Sequence, residues 1–467
     1  MNSAQVYSLQ KPLEQTEWDI ILGYAHRVRA LPQLRGSLGL AADCIEALSN
    51  PPSSTESIFP NLRIIGLHEP SATIAPLIRH LANPKLTGIS FEEMENLGAA
   101  VDTFGERCPF VTDFDVSQWA HADTISGLVC CWKNLCSAQC YDVGLNVNAL
   151  SHLSRLHSLH YMGFKVHDAV IDRLYAILSP ASTITFPVLD DLYLSSKYLT
   201  PIWRLLRHFR VPEVHGVSVG LRARPTAPDL MSFFVALQEA CTHASLNYLV
   251  LRIYPDDDDA NDIPLENGSA YYITFDRLLP LTVFVNIKSI TLDIPCGADL
   301  NEREFLCLAS SWPYLETFEV GEGYHWTASS AITPEGFLQL LERCRSLRVF
   351  SFMFDCRGYT EIPQGHPWRG LTMPKHSFIH LLHSPIEEES VEALGVFFHV
   401  APYPEFNLTT HWNNRYFRGS GGPQGSRELY YDRWVRARSL ACDISEERTE
   451  LRRSLETRLG SSLRPSR

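Results

Sequence analysis

The chain has 467 residues, of which 45% are hydrophobic and 20% are charged, a composition typical of a folded globular protein. Its formal net charge of -13 argues against nonspecific nucleic-acid binding, which requires a basic patch or stripe. The sequence has no run of about 18 apolar residues and no apolar signal core near Met1, so we expect a protein of the cytoplasm or nucleus with no membrane partner.

The N-terminal region is predicted to form two helices. Residues 14–31 carry apolar side chains at helical spacing, from Trp18 to Leu31, and Pro32 would end the helix. A second apolar stretch, Leu38 to Leu48, precedes a breaker rich in proline and serine. We therefore interpret residues 1–50 as a helical cap on the first unit of the repeat that follows.

A short apolar pattern then recurs eleven times at intervals of 24 to 41 residues. Each copy is a large apolar residue with further small or large apolar residues at +3 and +5, which is the core of a leucine-rich repeat. The first residues of the eleven copies are Leu62, Leu86, Val111, Leu135, Leu159, Leu189, Val214, Leu246, Ile287, Leu315 and Leu347.

A helical segment follows most of these predicted strands. Examples are residues 74–82, 94–106, 169–178, 199–209, 229–241, 302–310 and 334–343. Strand and helix in alternation predict an α/β fold, a leucine-rich-repeat solenoid (horseshoe) with one curved parallel sheet and outer helices, over residues 51–400. Cysteines at repeat positions, such as Cys108, Cys140 and Cys344, are interpreted as reduced, apolar core residues.

The C-terminal part is predicted to complete the solenoid and then to continue as a segment outside it. The apolar stretch Val391–Val400 is interpreted as a final strand-like element. Residues 401–467 would form a linker and a charged helical tail, with a flexible segment at Gly419–Gly425 and a helix at Glu446–Leu459.

Several polar clusters are candidate sites of chemistry. His376, His380 and His383 would share one helix face, but no fourth metal ligand is indicated nearby. The run from Asp256 to Asp262 lacks the glycine and the final glutamate of a calcium loop. Cysteines 130, 131, 136 and 140 lack paired CxxC spacing. We therefore predict no cofactor, no metal and no enzymatic activity, although a hydrolase or metal enzyme stays as a third hypothesis.

The concave face of the predicted sheet is the candidate protein-binding surface. Residues that alternate with the apolar repeat positions point out of the sheet. Tyrosines among them would anchor a protein partner, and aspartates would favour a partner with a basic segment. Packing of the tyrosines against one another is an equally good explanation. The candidate residues are Asp113, Asp115, Tyr141, Tyr161, Asp191, Tyr193, Tyr248 and Arg252.

Several segments resemble one known family. Trp18–Leu31, Phe59–Arg63, Ile125–Leu135 and Leu150–Leu159 resemble the region that follows the F-box in F-box/leucine-rich-repeat proteins of mushroom-forming fungi. The resemblance covers residues 11–355. It implies that the repeats hold a substrate for a cullin–RING ubiquitin ligase, whose adaptor subunit binds the F-box.

The leading hypothesis is a monomeric, non-enzymatic protein-interaction module resembling the substrate-binding part of an F-box receptor. Too few residues precede the matching segment to form the F-box, so we expect residues 1–467 not to bind the adaptor unless a box is encoded upstream. The alternative is a stand-alone leucine-rich-repeat scaffold unrelated to ubiquitin.

Overall fold

A computed structural model describes residues 8–35, 42–52, 56–68, 75–92, 98–117, 121–177, 183–254, 271–321, 332–361, 371, 374, 377–382, 384–399, 407–409 and 424–462. The chain divides into two compact units. The first contains residues 1–220 and 239–242, and the second contains residues 221–238 and 243–467.

The first unit is built on a parallel sheet. Its strands, in the order in which they neighbour one another across the sheet, are β1 (Ala30–Arg35), β2 (Ile64–His68), β3 (Gly88–Glu92), β4 (Asp113–Ser117), β5 (Ser137–Gly144), β6 (Tyr161–Lys165), β8 (Asp191–Ser196) and β10 (Gly216–Leu221). The short strands β7 (Ile184–Thr185) and β9 (Phe209–Arg210) pair with each other outside this sheet.

Helices connect the strands of the first unit, and the second to the eighth of them each contact the next. They are α1 (Gln15–Ala25), α2 (Ala42–Ser49), α3 (Ala75–Leu81), α4 (Gly98–Arg107), α5 (Ala122–Cys130), α6 (Val147–Leu153), α7 (Asp168–Ile177) and α8 (Leu199–Leu206). Most of α9 (Ala227–Ala240) belongs to the second unit. The core forms where the inward residues of the strands meet the helices. Phe91 of β3, for example, lies 5.4 Å from Phe104 of α4 between ring centroids.

The second unit repeats this arrangement. Its parallel strands are β11 (Tyr248–Ile253), β13 (Ser289–Asp293), β15 (Thr317–Val320), β16 (Val349–Ser351), β17 (Phe378–His380) and β18 (Asn407–Thr409), and a separate pair is formed by β12 (Tyr272–Thr274) and β14 (Gly297–Asp299). Its α-helices are α10 (Phe275–Leu278), α11 (Glu302–Ser310), α12 (Pro334–Arg343), α13 (Val391–His399) and α14 (Gln424–Ser462), with 3-10 helices at Leu279–Val283 and Glu388–Ser390.

In each of the eleven predicted apolar triplets the second residue lies in a strand and the first residue lies just before that strand, and every triplet residue is buried. The predicted α/β leucine-rich-repeat solenoid is therefore confirmed for each unit. The register is fixed at the strand starts by a backbone ladder. The carbonyl oxygen of Thr87, for instance, accepts hydrogen bonds from the amides of Thr112 at 2.8 Å and Asp113 at 3.0 Å. The predicted division at residues 50 and 400 stays a prediction.

The prediction of one helix over residues 14–31 was wrong in its last third. The helix ends at Ala25, and Ala30–Arg35 forms a strand in which Leu31 pairs with Ile65. Pro32 is accommodated because, among the described strands, β1 pairs only with β2, and proline is tolerated at a sheet edge. The second predicted helix begins at Ala42, and residues 36–41 lie outside the described residues.

Two predictions near the C-terminus were also wrong. Val391–His399 is a helix rather than a strand, because its buried Ala393, Leu394, Phe397 and Phe398 follow helical spacing. His380 lies in strand β17 rather than on a helix. The predicted tail helix is present but begins at Gln424, within the segment predicted to be flexible, and residues 410–423 lie outside the described residues.

Candidate functional site

The outward side chains of the first unit form two aligned rows. Strand pairing places the residue between the +3 and +5 positions of each triplet opposite its counterpart on the next strand. This central row runs through Gly66, Ser90, Asp115, Gln139, Gly163 and Tyr193, and a flanking row runs through Ile64, Gly88, Asp113, Ser137, Tyr161 and Asp191. In this unit the residues predicted to point outward therefore lie in register on neighbouring strands.

Three of the predicted tyrosines come together on this face. The ring of Tyr141 lies edge-on to Tyr193, with centroids 4.9 Å apart, and to Tyr161, with centroids 6.5 Å apart. The hydroxyls of Tyr141 and Tyr161 are 3.0 Å apart, and the Tyr141 hydroxyl donates to Oε1 of Gln139 at 2.7 Å. All three tyrosines are half-buried, so each ring both packs against a neighbour and keeps part of its surface exposed.

Gly163 makes this arrangement possible. A Cβ atom at this position would lie 3.0 Å from Cε1 of Tyr141 and 3.4 Å from Cβ of Tyr193. The absence of a side chain therefore lets the Tyr141 ring lie directly over the β6 backbone. The irregular pairing of β5 and β6 between Cys140 and Gly144 starts at this point.

Burial shifts the phenol groups further toward the neutral form that tyrosine already has near neutral pH. It raises the pKa of Tyr161 far above its usual value, and the hydrogen bond with Tyr141 adds to the shift. Burial also raises the pKa of Tyr141. Neutral phenols donate and accept hydrogen bonds and present an aromatic face, which suits them to binding rather than to proton abstraction.

The three predicted aspartates occupy different surroundings on the same face. Asp113 is exposed and accepts a hydrogen bond from the hydroxyl of Thr112 at 2.7 Å. Asp115 is half-buried and accepts one from Ser90 at 3.4 Å. Asp191 pairs in register with Tyr161, and burial, together with the neighbouring Asp190, raises its pKa.

The remaining two candidates, Tyr248 and Arg252, belong to the second unit. Both lie on β11, where Tyr248 pairs with Ser289 and Arg252 with Asp293. The Nε atom of Arg252 is 4.0 Å from a carboxylate oxygen of Asp293, with nearly half of the arginine side chain exposed. Tyr248 and Arg252 therefore lie four residues apart on the same face of β11.

Sequence reasoning missed one feature of the first unit. Ile64 is 48% exposed and borders a groove of about 180 Å³ whose lining includes Gly66 and Gly88. The outward position of Ile64 was predictable, since the residue before the second apolar position of each repeat must also point outward, but the groove beside it was not.

The polar clusters named as candidate sites of chemistry are described only in part. Within the described part of the chain, no group of three or more histidine, cysteine or acidic residues has a geometry that could hold a metal ion. Cys140 is buried in the core, and burial raises the pKa of the Cys108 and Cys344 thiols to about 12. The run from Asp256 to Asp262, together with histidines 376 and 383, lies outside the described residues.

Among the helices of the described residues, none combines the length and the apolar character that crossing a membrane requires.

Comparison with known proteins returned structural neighbours only. No protein-family model and no curated protein matches the chain. Among solved structures, an internalin (inlF) from Listeria monocytogenes matches with a TM-score of 0.33 and 12% identity, over 85% of this chain and 86% of the internalin. Rad7, solved as a yeast complex of Rad7 and Elc1, is matched with a TM-score of 0.37 and 13% identity, over 81% of this chain and 80% of the matched chain.

A third neighbour is the leucine-rich-repeat ectodomain of the Arabidopsis thaliana receptor kinase GASSHO1/SCHENGEN3. It matches with a TM-score of 0.29 and 13% identity, over 76% of this chain and 41% of the ectodomain. At these TM-scores the similarities carry no argument about function. The leucine-rich-repeat assignment rests on the strand and helix geometry given above.

Proposed function

We propose that this protein is a non-enzymatic protein-interaction module whose binding surface is the outward face of its sheets. The observation that carries the proposal is the cluster of Tyr141, Tyr161 and Tyr193 on the first unit, whose rings are packed together and half-buried. Preorganised aromatic side chains lose little conformational entropy when they bind, and they dominate the energetics of protein interfaces. Tyr248 and Arg252 extend the proposal to the second unit.

The cluster also has a purely structural explanation, because tyrosine pairs on neighbouring strands stabilise a sheet without any ligand. The hydrogen bond from the Tyr141 hydroxyl to Gln139 holds the cluster together under either explanation, so it does not distinguish a binding role from a structural one. Two different measurements, of folding and of binding, are therefore needed to separate the two explanations.

The test replaces Tyr193 and Tyr248 by serine and compares the proteins that the variant and the unchanged chain capture from a cell lysate. Loss of a tyrosine at the centre of an interface costs about 2 kcal/mol or more, so specific partners should disappear from the captured set. A matched variant replaces Tyr198 and Tyr314, which are 52% and 56% exposed and lie outside the strands, one in each unit. This control should capture the same proteins as the unchanged chain.

Thermal melting of both variants separates binding from folding. An intact fold with an unchanged captured set would remove the tyrosine face from consideration. Loss of stability in the strand variant alone would favour the structural explanation.

More specifically, we propose that the module acts as the substrate-binding part of an F-box ubiquitin-ligase receptor in the cytoplasm or nucleus, as a monomer. Support for this comes from the sequence resemblance at residues 11–355. A stand-alone scaffold unrelated to ubiquitin is the second candidate. The two differ in one observable, which is whether the gene encodes an F-box in frame ahead of Met1.

A further inference from the structure

The groove on the first unit has a defined shape and lining. It crosses strands β2 to β5 on the outward face and has a volume of about 180 Å³. The groove is open along its floor because Gly66 and Gly88 have no side chain and Ser90 has only a small one. Ile64 lines it on the β2 side, and Asp113 and Asp115 line it on the β4 side.

The two sides of the groove differ in chemistry. Ile64, with 48% of its surface exposed, offers an apolar wall at one side. At the other side the carboxylates of Asp113 and Asp115 lie two residues apart on one strand, and therefore on the same face of the sheet. Thr112 and Ser90 donate hydrogen bonds to these carboxylates and so restrain their orientation.

We propose that this groove binds an arginine side chain of the protein partner, an inference that rests on the proposed function of this face. An arginine has an aliphatic stem that packs along apolar surface and a charged head that seeks a carboxylate. The stem lies along Ile64 over the glycine floor, and the guanidinium group reaches Asp113 and Asp115. A guanidinium group suits two carboxylates better than an ammonium does, because it is planar, weakly hydrated and carries five donors in a fixed fork. The net charge of -13 further favours approach of a basic segment.

The probe is a pool of short fluorescent peptides with one fixed central arginine and otherwise uncharged, degenerate positions. A second pool carries citrulline at the same place, which keeps the shape and removes the charge. We expect the full chain to retain the arginine pool over the citrulline pool, with a preference that weakens as salt is added. Retention of the two pools to the same extent, or of neither, would overturn the proposal.

Two variants locate the binding. Asp113→Asn combined with Asp115→Asn removes the charge without changing the shape and should reduce retention of the arginine pool by about tenfold or more. Ser90→Leu keeps both carboxylates but fills the groove, and should reduce retention to a similar extent. The matched control, Asp102→Asn with Glu106→Gln, removes two exposed charges from α4 in the same unit and should leave retention unchanged.

The outcomes distinguish this proposal from the proposed function. If the amide variant retains arginine peptides as well as the unchanged chain does, the groove is not their site and the proposal falls. If, in that case, the tyrosine variants still lose their captured proteins, the face binds protein by other means and the proposed function stands.

Discussion

Replacing Leu192 or Leu249 by alanine is expected to lower the free energy of unfolding by about 2–5 kcal/mol, the usual cost of a leucine-to-alanine cavity in a packed core. Leu192 is 1% exposed and Leu249 is fully buried. Each occupies the second apolar position of a repeat and points from a strand toward the helices. Chemical denaturation of each variant measures the loss directly.

The neighbouring residue on β11, Val250, provides a control for the loss of buried apolar surface. Val250 follows Leu249 on β11 but points to the outward face and is only half-buried. Its replacement by alanine should cost well under half as much as Leu249→Ala, because little of its surface is removed from water. Equal losses at Leu249 and Val250 would contradict the assigned alternation of inward and outward residues.

Replacing Trp434 by alanine is expected to cost about 3–5 kcal/mol and to release the start of α14 from the second unit. The indole ring is 1% exposed and lies 6.2 Å from the ring of Phe398 on α13. Its Nε1 donates to the buried carbonyl oxygen of Ser384 at 2.9 Å, so the substitution also leaves that oxygen without its donor. Thermal melting combined with limited proteolysis within α14 would report both effects.

The neighbouring residue again gives a matched control. Val435 is 43% exposed on the same helix turn, and Val435→Ala should change neither the melting temperature nor the cleavage pattern. Faster cleavage in the Val435 variant to the level of the Trp434 variant would indicate that α14 is held by something other than its indole-bearing face.

The sequence predicted the repeat architecture well because the signal is redundant. Eleven copies of one apolar spacing fix the strands, and an error in one copy does not move the others. The single elements outside the repeat were harder. Ala30–Arg35 and Val391–His399 each occur once, and their apolar residues fit both helical and strand interpretations until a pairing partner or a packing surface is known.

The candidate site was predictable in position but not in contacts. Alternation along each strand identified Asp113, Tyr161 and Tyr193 as outward residues. The meeting of Tyr141 with Tyr193 depends on the open space over Gly163 and on the irregular pairing that begins after Cys140. Neither the open space over Gly163 nor the irregular strand pairing is marked by a recognisable spacing of residues in the sequence. The groove beside Ile64 was missed for a related reason, since a depression is made by the small size of several neighbouring residues rather than by one motif.

The proposed function requires that partners bind the strand face that carries the tyrosine cluster. A photoreactive phenylalanine derivative, benzoylphenylalanine, placed at Tyr193 tests this most directly when cells that express the full chain are irradiated. The same derivative at Tyr198 serves as the control, because that side chain is exposed in the same unit but precedes helix α8. We expect a covalent adduct with another protein from position 193 and none from position 198. Adducts from position 198 alone, with a stable and folded position-193 variant, would contradict it.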